Sequence, residues 1–358
     1  MRAVEFYSGI GGLHYAFLKS CPTGTVVAAY DVNDAANEVY RHNFGVSPLA
    51  VDIGLLKTEE LEAWGAEVWL ASPPCQPYTR RGLNLQSSDA RATSFMSLMT
   101  KLPEMKLSPK FILVENVVGF EISDTRDALL KVLNKCRYSV REYIVSPCHL
   151  GFPYSRPRYF ALAAQSPHSL SSLPSCQPVV RIGSPLGSEC NDSMPRPTLG
   201  HIISLSQNSS GALLYPEHTG HLFLSDAQIK KHAWCLDIVD PSSTRVNCIT
   251  KSYGHFLKGS GSILATANTS LVKDILSRYP IGSSQQEQTK ALVEELRKLK
   301  LRFFSPAEIA ALHSFPSHFS FPKSGITTRR ACSLLGNSLH VDVVAHLLSY
   351  LMSPSFIT

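Results

Sequence analysis

The sequence lacks long apolar runs, and no window holds the roughly 18 uninterrupted apolar residues that a membrane span needs. The residues from Met1 to Glu5 also lack the apolar core of a signal peptide. We therefore expect a soluble intracellular protein. The apolar fraction of 44% is too high for intrinsic disorder, and 358 residues suffice for two domains or for one large domain with an insertion.

The spacings typical of metal sites are also absent. None of the nine cysteines forms a CxxC pair, and none stands near a histidine at zinc-finger spacing. We therefore expect no metal, and nine free thiols in a reducing compartment. The net charge is only +6, which permits a polyanionic partner without requiring one.

The first 165 residues alternate between apolar runs and helical patterns. Two helices are predicted, from Asn33 to Asn43 and from Asp124 to Cys136, each opened by a capping residue. Continuous apolar runs suit strands that are buried on both faces. The alternation predicts an α/β fold with a doubly wound sheet. The predicted strands are Val4–Tyr7, Val26–Tyr30, Val68–Ala71, Phe111–Val114, Val140–Val145 and Tyr159–Ala163.

The composition changes at Ser166, where a stretch rich in Ser, Pro and Gly begins. Periodicity stays weak until about Lys300. A capping box with a following proline then starts a helix at Ser305, and an amphipathic stretch runs from Val341 to about Leu351. We therefore predict a first domain over 1–165, a smaller irregular domain over 166–300, and a segment over 301–358 that returns to the first domain.

A glycine-rich turn, Tyr7-Ser8-Gly9-Ile10-Gly11-Gly12, follows the first predicted strand. Such a turn leaves room for a ligand, although it also occurs as a plain strand–helix connection. Asp31 ends the second strand, where a carboxylate can hold ribose hydroxyls. His14 replaces the last glycine of a dinucleotide fingerprint, so a mononucleoside-like ligand fits better. Val51-Asp52-Ile53, interpreted as a strand exit, adds a second carboxylate.

Chemistry-bearing residues follow two further strands. Cys75 stands between prolines in Ser72-Pro73-Pro74-Cys75-Gln76-Pro77, and a rigid loop favours an exposed thiol over buried packing. Glu115 follows the next strand and is either an ordinary solvated end or a partner of that thiol at one sheet edge. The alternation of Arg156 and Arg158 predicts that both arginines lie on one face, available to phosphate or carboxylate.

Together these motifs resemble those of the cytosine-C5 methyltransferases in order and spacing, over nearly the whole chain. The chain is most similar to the DNA methyltransferase homologue 2 family, the cytosine-C5 methyltransferases of tRNA-Asp. That family's Cys-Phe-Thr signature appears here as Cys248-Ile249-Thr250, whose role stays open. The motifs that carry the resemblance are Tyr7 to Gly12, Ser72 to Arg80, Glu115 to Glu121 continued by Ser123 to Asp127, Arg156-Pro157-Arg158, Lys251-Ser252-Tyr253-Gly254 leading to Gly259 to Ser262, and Gly336-Asn337-Ser338-Leu339.

The resemblance implies a Rossmann-like fold and a role for each matched residue. The Cys75 thiolate adds to C6 of cytosine, Glu115 hydrogen-bonds and protonates N3, and Arg158 contacts the base near its carbonyl, with Arg156 beside it. The methyl donor is S-adenosylmethionine. The residues that match the family's cofactor pocket are Tyr7, Gly9, Ile10, Gly11, Asp31, Val32, Asp52, Ile53, Asn337 and Leu339.

The resemblance also implies the substrate, cytosine 38 in the anticodon loop of tRNA-Asp, with weak DNA binding beside it. The region 166–300 is then the target-recognition domain, and the chain is a monomeric catalytic unit without added regulatory modules. It acts in the cytoplasm, with the nucleus as a second compartment, and away from membranes.

Three alternatives remain at this point. A sequence-specific DNA cytosine methyltransferase would use the same chemistry on a duplex. A nucleic-acid-binding protein on a decayed scaffold would have no reason to keep Cys75, Glu115, Arg156 and Arg158. A small-molecule methyltransferase shares the glycine turn but has no use for the Pro-Cys-Gln loop.

Overall fold

A computed structural model describes residues 1–74, 90–165, 181–183, 197–207, 222–279 and 286–357. The chain divides into two compact units. The first, which we call the sheet unit, comprises Met1–Leu150, Pro157–Asn191 and Val341–Thr358. The second, which we call the insert unit, comprises Gly151–Arg156 and Asp192–His340.

The sheet unit contains a seven-stranded sheet in the order β2-β1-β3-β4-β6-β5-β7. β1 to β4 are parallel, whereas β6 lies antiparallel between β4 and β5, and β7 is parallel to β5. The predicted α/β class is confirmed, with a mixed sheet. The strands are β1 (Arg2–Phe6), β2 (Thr25–Tyr30), β3 (Val68–Ala71), β4 (Phe111–Val117), β5 (Tyr138–Val145), β6 (Arg158–Gln165) and β7 (Arg181–Ile182).

The central strands are continuous apolar runs in the sequence because both of their faces are buried. Every residue of β3 is buried, and its bounds are those predicted. β4 runs three residues further than the apolar run, so Glu115 lies inside a strand rather than after one. Asn33 and Ser123 cap their helices through side-chain oxygens that accept the Ala36 and Arg126 amides.

Helices cover the sheet and include the C-terminal return of the chain. α12 has the predicted bounds and packs against α1. The stretch Thr328–Leu351 is long and apolar enough to cross a membrane by composition, but most of it is buried inside the protein. The helices of this unit are α1 (Gly12–Ser20), α2 (Asp34–Phe44), α3 (Thr58–Ala63), α4 (Ala90–Thr100), α5 (Asp124–Lys135), α12 (Val341–Leu351) and α13 (Pro354–Ile357).

The strand expected before Asp52 is not formed. Leu49 makes a single bridge to Tyr30, and the chain then enters a 3₁₀ turn over Ile53–Leu55. Asp52 begins that turn because its carboxylate accepts the Gly54 amide, which bends the backbone away from the sheet. The interpretation of Val51-Asp52-Ile53 as a strand exit was therefore wrong.

The insert unit is more regular than its weak periodicity indicated. The capping box at Ser305 is confirmed, with Pro306 at the first helical position. Residues 301–340 belong to this unit, so the compact units do not follow the boundaries expected at 165 and 300. The elements are α6 (Leu199–Gln207), α7 (Asp226–His232), α8 (Val272–Arg278), α9 (Gln286–Lys298), α10 (Pro306–Leu312), α11 (Thr328–Gly336), β8 (Ile238–Val239), β9 (Ile263–Ala265) and β10 (Leu301–Arg302).

Candidate active site

The glycine-rich turn connects β1 to α1 through three positive φ angles. Tyr7 has φ 58°, Gly9 has φ 54° and Gly11 has φ 86°. Position 11 requires glycine for a second reason, because a Cβ there would overlap the ring of Phe44. Ile10, between the two glycines, is buried. The turn therefore holds a strained backbone at the N-terminus of a helix, where anionic and polar ligand groups bind well.

Asp31, at the end of β2, holds this turn in place. One carboxylate oxygen accepts the Gly9 amide at 2.8 Å and the other accepts the Asn33 amide at 2.8 Å. Burial raises the pKa of Asp31, and these backbone hydrogen bonds act in the opposite direction. Each carboxylate oxygen has a second acceptor site, so Asp31 is able to bind ligand hydroxyls while it supports the turn.

The surroundings of the turn fit a nucleoside-bearing ligand. A Cβ on Gly9 would meet no atom of the described residues within 4 Å, so the backbone there faces open space. Val32, next to the half-buried Asp31, is 69% exposed. An open backbone, a carboxylate and an exposed apolar group suit, respectively, the methionine part, the ribose and the adenine of S-adenosylmethionine.

Asp52 lies near the same strand end, since the Asp31 amide donates to Leu49, three residues before Asp52. The Asp52 carboxylate accepts the Ser94 hydroxyl at 2.8 Å and the Gly54 amide at 2.9 Å, both on one oxygen. Ile53 is buried in the core of the sheet unit. Asp52 is thus held in position and exposed, as a ligand-binding carboxylate must be.

A buried polar triad lies beneath the glycine turn. Glu5, inside β1, accepts the His14 amide at 3.2 Å and the Tyr40 hydroxyl at 3.1 Å, and His14 Nδ1 lies 2.6 Å from that hydroxyl. Burial raises the pKa of Glu5 to about 8 and lowers that of His14 to about 4. The negative charge of Asp31 also raises the pKa of Glu5, so the triad is electrostatically linked to the turn.

Glu115 lies at the same edge of the sheet, between β3 and β6. Its carboxylate accepts the Ser72 hydroxyl at 2.7 Å and lies 3.4 Å from Arg158 Nε. Arg158 is opposite Val117 in the antiparallel pair, so Glu115 and Arg158 are diagonal neighbours on one face. The sheet register therefore brings together the carboxylate and one of the two arginines that the sequence predicted for the site.

The neighbouring Asn116 fastens the start of the Pro-Cys-Gln loop. Its side-chain amide donates to the Pro73 carbonyl at 3.3 Å, two residues before Cys75 in the sequence. Ser72 is tied in turn to β1, because its amide donates to the Phe6 carbonyl. Cys75 itself lies outside the described residues. The chain thus enters that loop from a point bonded to both Glu115 and Asn116.

Arg156 has different partners from Arg158. It is buried in the insert unit, where its guanidinium donates to the carbonyls of Ile249 at 2.9 Å, Gly336 at 3.0 Å and Ser338. Alternation predicted one shared face, but alternation holds only within a strand, and Arg156 precedes β6. Its bonds join two segments, Cys248-Ile249-Thr250 and Gly336-Asn337-Ser338.

These two segments touch directly. A Cβ on Gly336 would overlap the backbone of Thr250 and Lys251, so this position admits only glycine without rearrangement. Ile249 is fully buried, and its amide donates to the Tyr154 hydroxyl at 3.1 Å. Asn337 is exposed and Leu339 is buried in the same unit. Their assignment to the cofactor pocket stays a prediction.

Comparison with known proteins shows the family of the chain. Residues 1–353 match the family model of the C-5 cytosine-specific DNA methylases. The chain belongs to the cytosine-C5 methyltransferase family. The expected family and enzyme class are therefore confirmed.

Two individual relatives and one solved structure match the chain over nearly its whole length. A Homo sapiens protein named tRNA (cytosine(38)-C(5))-methyltransferase is 36% identical, over 98% of this chain and 99% of its own length. A Dictyostelium discoideum protein named DNA (cytosine-5)-methyltransferase is 35% identical, over 99% of this chain and 95% of its own. A crystal structure of a Spodoptera frugiperda DNMT2 variant superposes with a TM-score of 0.78 at 32% identity, covering 98% of this chain and 99% of that one.

Several residues that build the candidate site are not predicted from the sequence. Ser72 and Asn116 were quoted in motifs but given no role, and Glu5 with its partners was not identified at all. A carboxylate within the apolar run Val4 to Tyr7 was the available signal, because an unpaired buried charge is costly. Among the described residues, no three His, Cys, Asp or Glu side chains are grouped as a metal site requires.

Proposed function

We propose that this enzyme methylates C5 of cytosine 38 in the anticodon loop of tRNA-Asp, with S-adenosylmethionine as the methyl donor. The observation that carries the cytosine-C5 chemistry of this proposal is the position of Glu115, a buried carboxylate that Ser72 and Arg158 hold where the chain enters the Pro-Cys-Gln loop. The choice of tRNA is supported by the relatives.

The residues divide the chemistry between them. The Cys75 sulfur forms a bond to C6 of the base, and the electrons of the C5–C6 double bond become available at C5. Glu115 hydrogen-bonds N3 and supplies the proton there, while Arg158 orients the carboxylate and contacts the base near its carbonyl. Once C5 carries the methyl group, the C5 proton passes to solvent and the electrons of the C5–H bond restore the double bond, which expels Cys75 as a thiolate. The proton on N3 then returns to Glu115.

The cofactor is held by the glycine turn and the nearby strand ends. The backbone at Gly9, Ile10 and Gly11 would lie against the methionine part, the carboxylates of Asp31 and Asp52 would accept hydroxyl and amino groups, and Val32 would pack on the adenine. When bound, S-adenosylmethionine supplies an electrophilic methyl group. Tyr7 and Ile10 belong to the turn, Ile53 follows Asp52, and Asn337 and Leu339 are assigned to the cofactor by the family resemblance alone.

Arg156 acts in this scheme as a positioning residue. Its guanidinium is engaged by three backbone carbonyls of the insert unit, and a cation in that situation is poorly placed to bind the base. It supports the segment that carries Asn337 and, through the chain, the start of β6 at Arg158. The role of Cys248-Ile249-Thr250 is then to offer the buried backbone that Arg156 binds.

The preference for RNA rests on the relatives and on the cost of exposing the base. A cytosine in a duplex must be flipped out at a cost of a few kcal/mol, whereas an anticodon-loop cytosine is already unpaired. The human relative that matches over nearly its full length is named for cytosine 38 of tRNA. We place the enzyme in the cytoplasm, with the nucleus as a second compartment, and as a monomer.

The second candidate function is methylation of duplex DNA at a short sequence. It is favoured by the name of the Dictyostelium relative and by the description of the matching family. This alternative uses the same residues and differs only in substrate, so the geometry of Glu115 does not discriminate between the two.

Initial rates of labelled methyl transfer discriminate between them. The substrates are a tRNA-Asp transcript, the same transcript with cytosine 38 replaced, and a cytosine-rich DNA duplex. We expect transfer to the first and none to the second, with far slower transfer to DNA. A DNA rate equal to the tRNA rate, or an unchanged rate after replacement of cytosine 38, would favour the DNA enzyme.

A further inference from the structure

The insert unit exposes two large aromatic side chains close to cations. Trp234, in the turn that follows α7, is 44% exposed, and Phe256 is 54% exposed. The ammonium group of Lys258 lies 4.5 Å from the centre of the Trp234 ring. A lysine above the ring adds a cation–π contact.

Further contacts occur close by in the sequence, at His255 and Phe256. The ring of His255 packs against that of Phe256, with 4.3 Å between centroids, and Arg329 donates to His255 Nδ1. We call the five side chains Trp234, His255, Phe256, Lys258 and Arg329 the cation–aromatic surface. It combines three flat rings with two permanent positive charges.

The backbone under this surface is well supported. Tyr253, at the centre of the loop, is buried, donates to the Ser262 carbonyl at 2.8 Å and accepts the Phe304 amide at 2.9 Å. The amides of His255 and Phe256 both donate to the Ser252 carbonyl at 3.1 Å. The rings are therefore presented on a fixed loop, which lowers the entropy cost of stacking a ligand on them.

The charge around the surface has one sign. No Asp or Glu occurs in 228–236, in 250–262 or in 323–330. The flanking acids are engaged elsewhere, Asp226 with Arg297 and Asp237 with Ser262. In the part of the chain that the structure describes, no ion pair neutralises the surface cations or their neighbours Lys230, Lys231 and Lys251.

We propose that the cation–aromatic surface binds an unpaired segment of RNA, with bases stacked on Trp234 and Phe256 and phosphates bound by Lys258 and Arg329. Unpaired nucleic acid offers flat bases and regularly spaced negative charges, and proteins bind it through aromatic platforms in basic grooves. A protein partner would meet the rings equally well but has no general need for uncompensated cations. The inference rests on the proposed function, because the RNA in question is the tRNA substrate.

Tryptophan fluorescence provides a test that does not depend on methyl transfer. The sequence has three tryptophans, and the other two, Trp64 and Trp69, belong to the sheet unit, where Trp69 is buried. Titration of the full chain with a tRNA-Asp transcript should quench the emission of Trp234. The quench should vanish in Trp234→Phe, which keeps a ring for stacking and therefore keeps its affinity.

Affinity measurements on further variants separate stacking from charge. Trp234→Ala and Phe256→Ala should each weaken tRNA binding by about tenfold, the scale of one lost base–aromatic stack. Lys258→Ala should reduce the slope of log affinity against log salt concentration by about 0.7–0.9, the contribution of one phosphate contact. The matched controls Phe223→Ala and Lys273→Ala remove an exposed ring and an exposed cation elsewhere in the insert unit and should change neither quantity.

The outcomes keep this inference distinct from the proposed function. The protein could methylate tRNA while its quench and tRNA affinity do not depend on Trp234, Phe256 or Lys258. That result would overturn the proposal that the cation–aromatic surface binds RNA and would favour a protein partner. A Trp234-dependent quench without methyl transfer supports the surface and overturns the proposed function. Absence of both overturns both.

Discussion

In the sheet unit, Glu115 and Glu5 are buried and hydrogen-bonded, whereas the cations beside Trp234 in the insert unit are exposed and form no ion pair with the residues that the structure describes. Glu115 is held by Ser72 and Arg158, and Glu5 by Tyr40. This difference between the two units indicates the function of each. Buried, fixed polar groups stabilise charge that develops during a reaction, and exposed cations attract a polyanion at little structural cost.

The strongest test of the sheet unit is removal of the proposed nucleophile. Cys75→Ala should abolish methyl transfer and leave S-adenosylmethionine binding intact, because the thiol acts on the base and not on the cofactor. RNA that carries 5-fluorocytosine should trap the wild-type protein covalently, and this variant should not be trapped. The control Cys136→Ala removes a half-buried thiol from the core of the same unit and should keep full turnover. Turnover by Cys75→Ala would contradict the covalent mechanism.

The next largest effect is expected from a comparison of Glu115, a carboxylate proposed to act in the reaction, with Glu142, a carboxylate that stabilises the fold. Glu115→Gln should lower kcat by about a hundredfold or more, the contribution of a general acid, with little change in tRNA affinity. Glu142 is the matched control, because its carboxylate is also buried but accepts hydrogen bonds from Arg126, at 2.6 and 2.9 Å, and not from Ser72 or Arg158.

Glu142→Gln should lower the free energy of unfolding by roughly 3 kcal/mol, since it breaks a buried pair, and should leave kcat unchanged. Urea titration measures the free energy of unfolding of both variants, Glu115→Gln and Glu142→Gln, and steady-state kinetics measure their kcat. Equal losses of kcat in the two variants would show that the effect at Glu115 comes from general disruption of the sheet.

A smaller effect is expected at the cofactor turn. Asp31→Ala removes an acceptor of the Gly9 amide as well as a ligand for hydroxyl groups, and should weaken S-adenosylmethionine binding by about 1.5–3 kcal/mol. Asp31→Asn keeps one oxygen as an acceptor and should lose less. Calorimetry on both variants measures the difference, and unchanged affinity in Asp31→Ala would remove this residue from the site.

The smallest effect concerns the triad beneath the turn and depends on pH. The pKa of Glu5 is raised from 4.5 to about 8, so the folded protein holds a proton that the unfolded chain releases, and stability falls as pH rises through this window. The pKa of His14 is lowered from 6.5 to about 4, which acts in the opposite direction below pH 6.5. The two effects oppose each other there, and only the loss from Glu5 remains between pH 6.5 and 8.

In that window the free energy of unfolding should fall by up to about 1.4 kcal/mol per pH unit. Glu5→Gln, which keeps the shape of the carboxyl group without its titration, should flatten the dependence, and the exposed control Glu59→Gln should keep it. Denaturant titrations at several pH values measure both slopes. The same slope in Glu5→Gln and the wild type would mean that Glu5 does not titrate there.

Much of the sheet unit was predictable because its signals are local. Strands buried on both faces appear as apolar runs, and caps such as Asn33 act within three residues. The glycine turn and Asp31 were found because parallel strands end at one sheet edge. β3 and α12 have the predicted bounds for these reasons.

The remaining features depend on contacts between residues distant in the sequence. No residue near Glu5 in the sequence indicates that the Tyr40 hydroxyl donates a hydrogen bond to its buried carboxylate. The alternation of Arg156 and Arg158 likewise does not indicate that the two arginines bind different partners. The helix α9 was missed because the weak periodicity around it indicated irregular structure. Trp234 and Lys258 are 24 positions apart, so only the fold brings them together.

The central claim is that the sheet unit performs the reaction and the insert unit binds the RNA. Single-turnover kinetics with saturating S-adenosylmethionine test it most directly, because they give the methylation rate and the tRNA affinity of each variant in one experiment. The account predicts that Glu115→Gln lowers the rate at unchanged affinity and that Trp234→Ala lowers the affinity at unchanged rate. A loss of rate in Trp234→Ala at saturating protein, or a loss of tRNA affinity in Glu115→Gln that accounts for its defect, would contradict this division.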